Sequence, residues 1–128
     1  MSALDVVERY GAAASAGDMD ALARALTDDA VWHQPGTNQL SGDHVGREAI
    51  VKHLGRFMEL SRGTFAVRTD SATESGALVA TAVRFTARRE DGAGLDQAGV
   101  DVFRVEGDRI AEVWLISEDQ AAEDSFWG

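Results

Sequence analysis

An α+β fold, helices first and a mostly antiparallel sheet after them, is the class the sequence predicts, and three observations predict it. Apolar residues recur at helical spacing through most of the first half. Four longer runs with strand character fill the second half, separated by the short turns Glu74-Ser75-Gly76, Glu90-Asp91-Gly92 and Glu106-Gly107-Asp108, which favour antiparallel hairpins. The chain has 128 residues, 45% of them hydrophobic and 27% charged, which suits one domain with its own core and leaves no room for two, so residues 1–128 read as a single unit.

In chain order, Leu4, Val7, Tyr10 and Ala14 form the apolar stripe of a helix from Ala3 to about Ala16, with Ser2 able to cap its start and Gly17 its end. Asp18 caps a second, short helix whose stripe is Met19, Leu22, Ala25 and Leu26, stopping near Thr27-Asp28-Asp29. Ala30 to Gln34 reads as a short strand, halted by Pro35-Gly36 before a polar loop that contains Asn38, Ser41, Gly42, Asp43 and His44. A third helix runs from Gly46 to about Leu60, with Ile50, Leu54, Phe57 and Met58 inward and Gly63 closing it. Strands follow over Thr64 to Ser71, Ala77 to Arg89, Leu95 to Val105 and Arg109 to Ser117. Both faces of the last strand are apolar, so one meets the helices and the other a second subunit.

Composition excludes several function classes. Twenty-two acidic residues against 12 basic give a net charge of −10, which opposes binding to a phosphate backbone, so nucleic acid is not an expected partner. Without cysteine there is no disulfide framework, thiolate nucleophile or sulfur-ligated zinc. The three histidines lack the spacing of a metal cluster, and the glycines after Pro35 lack a phosphate-loop pattern, so neither a metal nor another cofactor is expected. The amino terminus does not read as a signal peptide and no run of about 18 apolar residues occurs, so a cytoplasmic protein with no membrane partner is expected.

The order of elements, together with Tyr10, Gly17-Asp18, Asp28-Asp29, Trp32-His33-Gln34-Pro35-Gly36, Gly46-Arg47-Glu48, Val100-Asp101-Val102-Phe103-Arg104 and the ending Asp124-Ser125-Phe126-Trp127, resembles the SnoaL-like branch of the nuclear transport factor 2 superfamily over nearly the whole chain. That resemblance implies a cone-like roll in which a curved sheet and three N-terminal helices enclose a pocket, and homodimers formed through the sheet's outer face. Ketosteroid isomerases, polyketide cyclases, limonene-epoxide hydrolases and catalytically silent binding domains share this shape, so fold alone does not choose among them.

Individual residues narrow the chemistry. Asp101 shares its strand face with Phe103 and Val105, where burial raises a carboxyl pKa and poises it as a donor or a general acid or base; the alternative is a structural aspartate. Tyr10, on a buried stripe, is either a core aromatic or a phenol aimed at a ligand. Together they occupy positions like the tyrosine and protonated aspartate of the ketosteroid isomerase oxyanion hole, a system long used to illustrate such a site. Where those isomerases carry an aspartate base this chain has Gln34, which cannot accept a proton but can orient water or a carbonyl. His33 is the remaining candidate base, although strict strand alternation turns it to the other face. Trp32, Phe57, Phe85, Phe103, Trp114 and Trp127 are candidate walls for a flat or cyclic apolar ligand. The set supports a cofactor-free isomerase, cyclase or hydrolase with Asp101, Tyr10 and His33 catalytic, or a non-catalytic ligand-binding or sensing domain. A purely structural dimerisation domain would have its pocket filled by side chains.

Overall fold

A computed structural model describes all 128 residues as one mixed sheet with helices on its concave side. Helices α1 (Ala3–Ala16) and α2 (Met19–Arg24) precede strands β1 (Leu26–Gln34) and β2 (Gly42–Val45). Helix α3 (Arg47–Leu60) leads into β3 (Ala66–Ser75), β4 (Leu78–Arg88), β5 (Gly94–Glu106) and β6 (Arg109–Ser117), and α4 (Gln120–Trp127) ends the chain. The strand order is β2-β1-β6-β5-β4-β3, antiparallel except where β1 runs parallel to β6.

The predicted α1 forms with the expected bounds and caps, but of its expected stripe only Val7 and Tyr10 are fully buried, Leu4 being partly covered and Ala14 exposed. Ser2 accepts from the Asp5 backbone in a reciprocal capping box, and Gly17 ends the helix in the left-handed region, φ 68°. Its buried stripe of Val6, Val7, Tyr10 and Ala13 faces the sheet. Met58, read as inward, is 44% exposed, the strand read as Thr64 to Ser71 runs over Ala66–Ser75, and three larger details differ from the sequence reading. The second helix ends at Arg24 and Leu26 already pairs with Ile110, after which Thr27 to Ala30 bulge before the register resumes at Val31 opposite Glu112. Part of the expected polar loop is an edge strand, with Trp32 opposite His44 and His33 opposite Asp43. Gln120–Trp127 form a fourth helix, because Asp119 accepts from the Ala122 backbone as an N-cap and Phe126 and Trp127 bury on one face.

Two apolar clusters make the core. One joins α1, α2 and the central strands through Val6, Leu22, Trp32, Phe103 and Ile110; the other joins α3, α4 and the far ends of β4 and β5 through Phe57, Phe85, Leu95, Phe126 and Trp127. Polar ties reinforce the docking of helix α4 on the second cluster. Asp124 Oδ1 accepts from the Thr37 backbone at 3.1 Å and from Asn38 Nδ2 at 2.8 Å, Gln39 Nε2 donates to Trp127 O at 2.7 Å, and Arg89 donates to Phe126 O at 2.6 Å while covering its ring.

Gly36 makes this docking possible. Its φ of 90° suits only glycine, and a β-carbon there would collide with the side chains of Asp124 and Gln120. Gly36→Ala is expected to cost about 2 kcal/mol, read as a lowered urea midpoint, and to loosen α4 before the sheet, read as early amide exchange in residues 120–127.

A candidate acid–base site in an apolar cavity

Between the two clusters lies a cavity of about 700 Å³. Strand alternation chooses its lining. In β5, Gln97, Gly99, Asp101 and Phe103 share the concave face; opposite them, β4 contributes Thr81, Val83 and Phe85. Gly99 keeps this wall thin, since a β-carbon would lie 2.8 Å from Ile116 O and 3.0 Å from Phe85 Cε1. Tyr10 enters from α1, Trp32 and Gln34 from β1, Phe57 from α3 and Trp127 from α4. Every ionisable group on the lining is an acid or a phenol: Glu8, Tyr10, Asp101 and Glu123.

Asp101 carries the most perturbed carboxyl of the group. Burial among apolar walls, then the nearby Glu123 charge, pushes it up to about 7, and no hydrogen bond from the protein holds the ionised form. Burial first and the Asp101 charge second also raise the Tyr10 phenol, so it keeps its proton at any physiological pH. Glu123 is raised by burial, partly countered by the Ser117 hydroxyl that donates to its Oε2 at 2.8 Å and by Gln120. Gln34, 6% exposed, accepts at Oε1 from Trp32 Nε1 at 2.9 Å and makes a second contact there with His53 Nε2 at 3.0 Å.

The cavity brings together Tyr10, Trp32, Gln34, Phe57, Phe85, Asp101, Phe103 and Trp127. His33 and Trp114, expected at the site, correct that expectation: they lie on the sheet's outer face, stacked on each other at 5.6 Å. With Trp32 and Gln34 pointing inward, the residue between them must point outward. There His33 Nδ1 meets Asp43 at 2.7 Å and Nε2 meets Glu112 at 2.6 Å, and these carboxylates, Glu112 foremost, raise its pKa and favour an imidazolium. Glu112 also pairs with Arg104 at 3.3 Å. Arg47 binds Asp28 at 2.5 Å and the Leu26 carbonyl and is not among the residues that line the cavity.

Two site residues escaped the sequence reading. Glu123 shares a helix face with Phe126 and Trp127 at three- and four-residue spacing, a signal that could have placed it inward. His53 is 2% exposed, because it lies on the Ile50–Phe57 stripe.

A single curved sheet closed by helices around an apolar chamber with a few acidic groups is the architecture of nuclear transport factor 2-like proteins. Residues 7–113 match the SnoaL-like domain, and the chain belongs to that family. An uncharacterized protein of Mycobacterium tuberculosis is 32% identical over 125 residues, covering 97% of this chain and 95% of that one. Among solved structures, a protein of unknown function with a cystatin-like fold from Xanthomonas campestris is 43% identical, with a TM-score of 0.94 over 100% of this chain and 99% of that one. IdmH, a proposed polyketide cyclase from Streptomyces antibioticus, shares the fold at 21% identity and a TM-score of 0.76, covering 92% of this chain and 93% of that one.

The raised carboxyl at Asp101 has a thermodynamic signature. The folded chain holds that proton to about pH 7 whereas an unfolded chain releases it near 3.8, so the group's favourable contribution is complete below about 4 and is lost as pH rises through 7. Asp101→Asn is therefore expected to gain stability relative to the parent between pH 4 and 7 and to hold the gain above that, a change of up to roughly 4 kcal/mol. Urea melts across that range measure it.

Proposed function

We propose that the protein is a small-molecule acid–base enzyme of the isomerase or cyclase kind, acting without a cofactor on a flat or cyclic apolar substrate that carries a carbonyl. The observation that supports this reading most is Asp101: a carboxyl with no protein donor, inside an apolar chamber, balanced between protonated and ionised at neutral pH beside a protonated phenol. A general base works best with a pKa near the working pH. As carboxylate, Asp101 takes the proton from the carbon next to the carbonyl; the electron pair moves onto oxygen, where the Tyr10 hydroxyl donates to the enolate; the carboxyl then returns a proton to carbon. The fold relationship to IdmH is consistent with this class of chemistry but does not name the substrate.

A non-catalytic binding domain is the second reading, favoured by Gln34, an amide in the lining at the position where the resemblance to ketosteroid isomerases implies an aspartate base. The same proposal includes a cytosolic homodimer that covers the outer face, where Val100, Val102 and Trp114 are only half-buried and Ile116 is 60% exposed.

Deuterium exchange at the α-carbon of 1-tetralone and 2-tetralone in heavy water, followed by proton NMR, tests the chemistry. The parent protein is expected to accelerate exchange of at least one ketone, with a rate that rises with pH through about 7 as Asp101 ionises. Asp101→Asn is expected to lose roughly 10² to 10⁴-fold of the acceleration and Tyr10→Phe a smaller part. Binding of both ketones without exchange overturns the enzymatic reading in favour of the binding one, and exchange that survives Asp101→Asn overturns Asp101 as the base. For the dimer, sedimentation velocity is expected to give twice the chain mass for the parent and the single-chain mass for Val102→Glu.

A further inference from the structure

The hydrogen bonds around Gln34 determine more than its position. Trp32 Nε1 can only donate, so the Gln34 atom it meets at 2.9 Å is the amide oxygen. His53 Nε2 approaches that same oxygen at 3.0 Å and must carry its proton there, which leaves Nδ1 as the unprotonated nitrogen. Nδ1 is indeed buried with no partner. Both lone pairs of the Gln34 oxygen are then occupied. The amide NH2 is what remains, on a residue that lines the cavity, and no acceptor in the protein takes it. Rotating the amide would set its NH2 against the indole N–H, which can only donate whatever tautomer His53 adopts, so the orientation has no competitor.

From this arrangement we infer that His53, acting with Trp32, is a positioning residue that fixes Gln34 as a dedicated hydrogen-bond donor, and that the cavity's ligand offers it an acceptor oxygen, a carbonyl or an enolate. This deepens the carbonyl-substrate reading above and rests on it for the identity of the cavity as the working site. His53 itself does not line the cavity and acts through the amide. Its ring is held on three sides, stacked on His44 at 3.7 Å and edge-on to Phe57 at 4.9 Å and to Trp32 at 6.0 Å. Burial, followed by the charges of His44 and Arg56, pushes its pKa down to about 3, so the neutral tautomer and the donor role of Gln34 persist through the physiological range. A ligand that presents an amine or a bare hydrocarbon edge at this point leaves the amide donors unanswered.

Nitrogen NMR of the full-length parent protein is the decisive measurement, with 2-tetralone and the hydrocarbon tetralin as probes. His53 is expected as the Nε2–H tautomer, and the Gln34 side-chain amide is expected to shift with 2-tetralone and not with tetralin. Binding assays carry the argument to variants: His53→Leu is expected to weaken 2-tetralone about tenfold while leaving tetralin unchanged, and His53→Gln, whose amide nitrogen can stand in for Nε2, is expected to restore most of the ketone affinity. An Nδ1–H tautomer, or a Gln34 amide unmoved by a bound ketone, overturns the inference even if the variants fail to fold. The two readings fail separately: a Gln34 shift without deuterium exchange defeats the acid–base enzyme and keeps the donor, whereas exchange with the Gln34 amide unmoved defeats the donor and keeps the enzyme.

Discussion

The concave face of one curved sheet carries more apolar surface than the helices packed on it can cover, and the properties of the interior depend on that shortfall. Helices α1 and α3 seal the sheet at two separate clusters, and the space between them stays open. Water in a chamber with such walls solvates charge poorly compared with bulk, which is why a carboxyl placed there keeps its proton into the neutral range while acids on the surface are held ionised by their partners. A filled core would have excluded Asp101, and an open groove would have left it an ordinary aspartate.

Alternation along β1 turns neighbouring residues into two unrelated environments. Gln34 faces the chamber; His33 faces a ring of carboxylates on the outer surface. The histidines show the same division in their protonation. At His33 two carboxylate partners favour the cation, whereas at His53 burial without a carboxylate favours the neutral ring. Each state suits its location. The outer charge joins β1, β2, β5 and β6 through Asp43, Glu112 and Arg104, and the inner neutrality leaves a ring able to donate from one defined nitrogen.

Much of the fold was legible in the sequence because its signals are periodic and local. The α1 stripe, the Ser2 and Gly17 caps and the three hairpin turns each depend on neighbours a few residues away. Most of the cavity lining was legible for the same reason, since the faces of β1 and β5 follow from counting by two. What the sequence did not convey is pairing at a distance. The edge strand β2 looks like a polar loop until β1 supplies its partner, and the length of β1 depends on the bulge that lets Leu26 reach Ile110. Glu123 and His53 are polar residues on apolar stripes, where polarity points outward and position inward. His33 shows the opposite case, where alternation gave the orientation and its chemical aptitude argued against it.

Helix α4 closes one end of the chamber with Trp127 and Glu123, yet it forms no part of the sheet ladder and is tied down by side chains from loops and strand ends. The wall it provides is thus independent of strand register, though not of the core. Phe126 and Trp127 also belong to the second core cluster, so the freedom to reshape the chamber lies with the neighbours that face it or solvent, Glu123 above all, whose replacement recharges the wall while every strand register stays as it is.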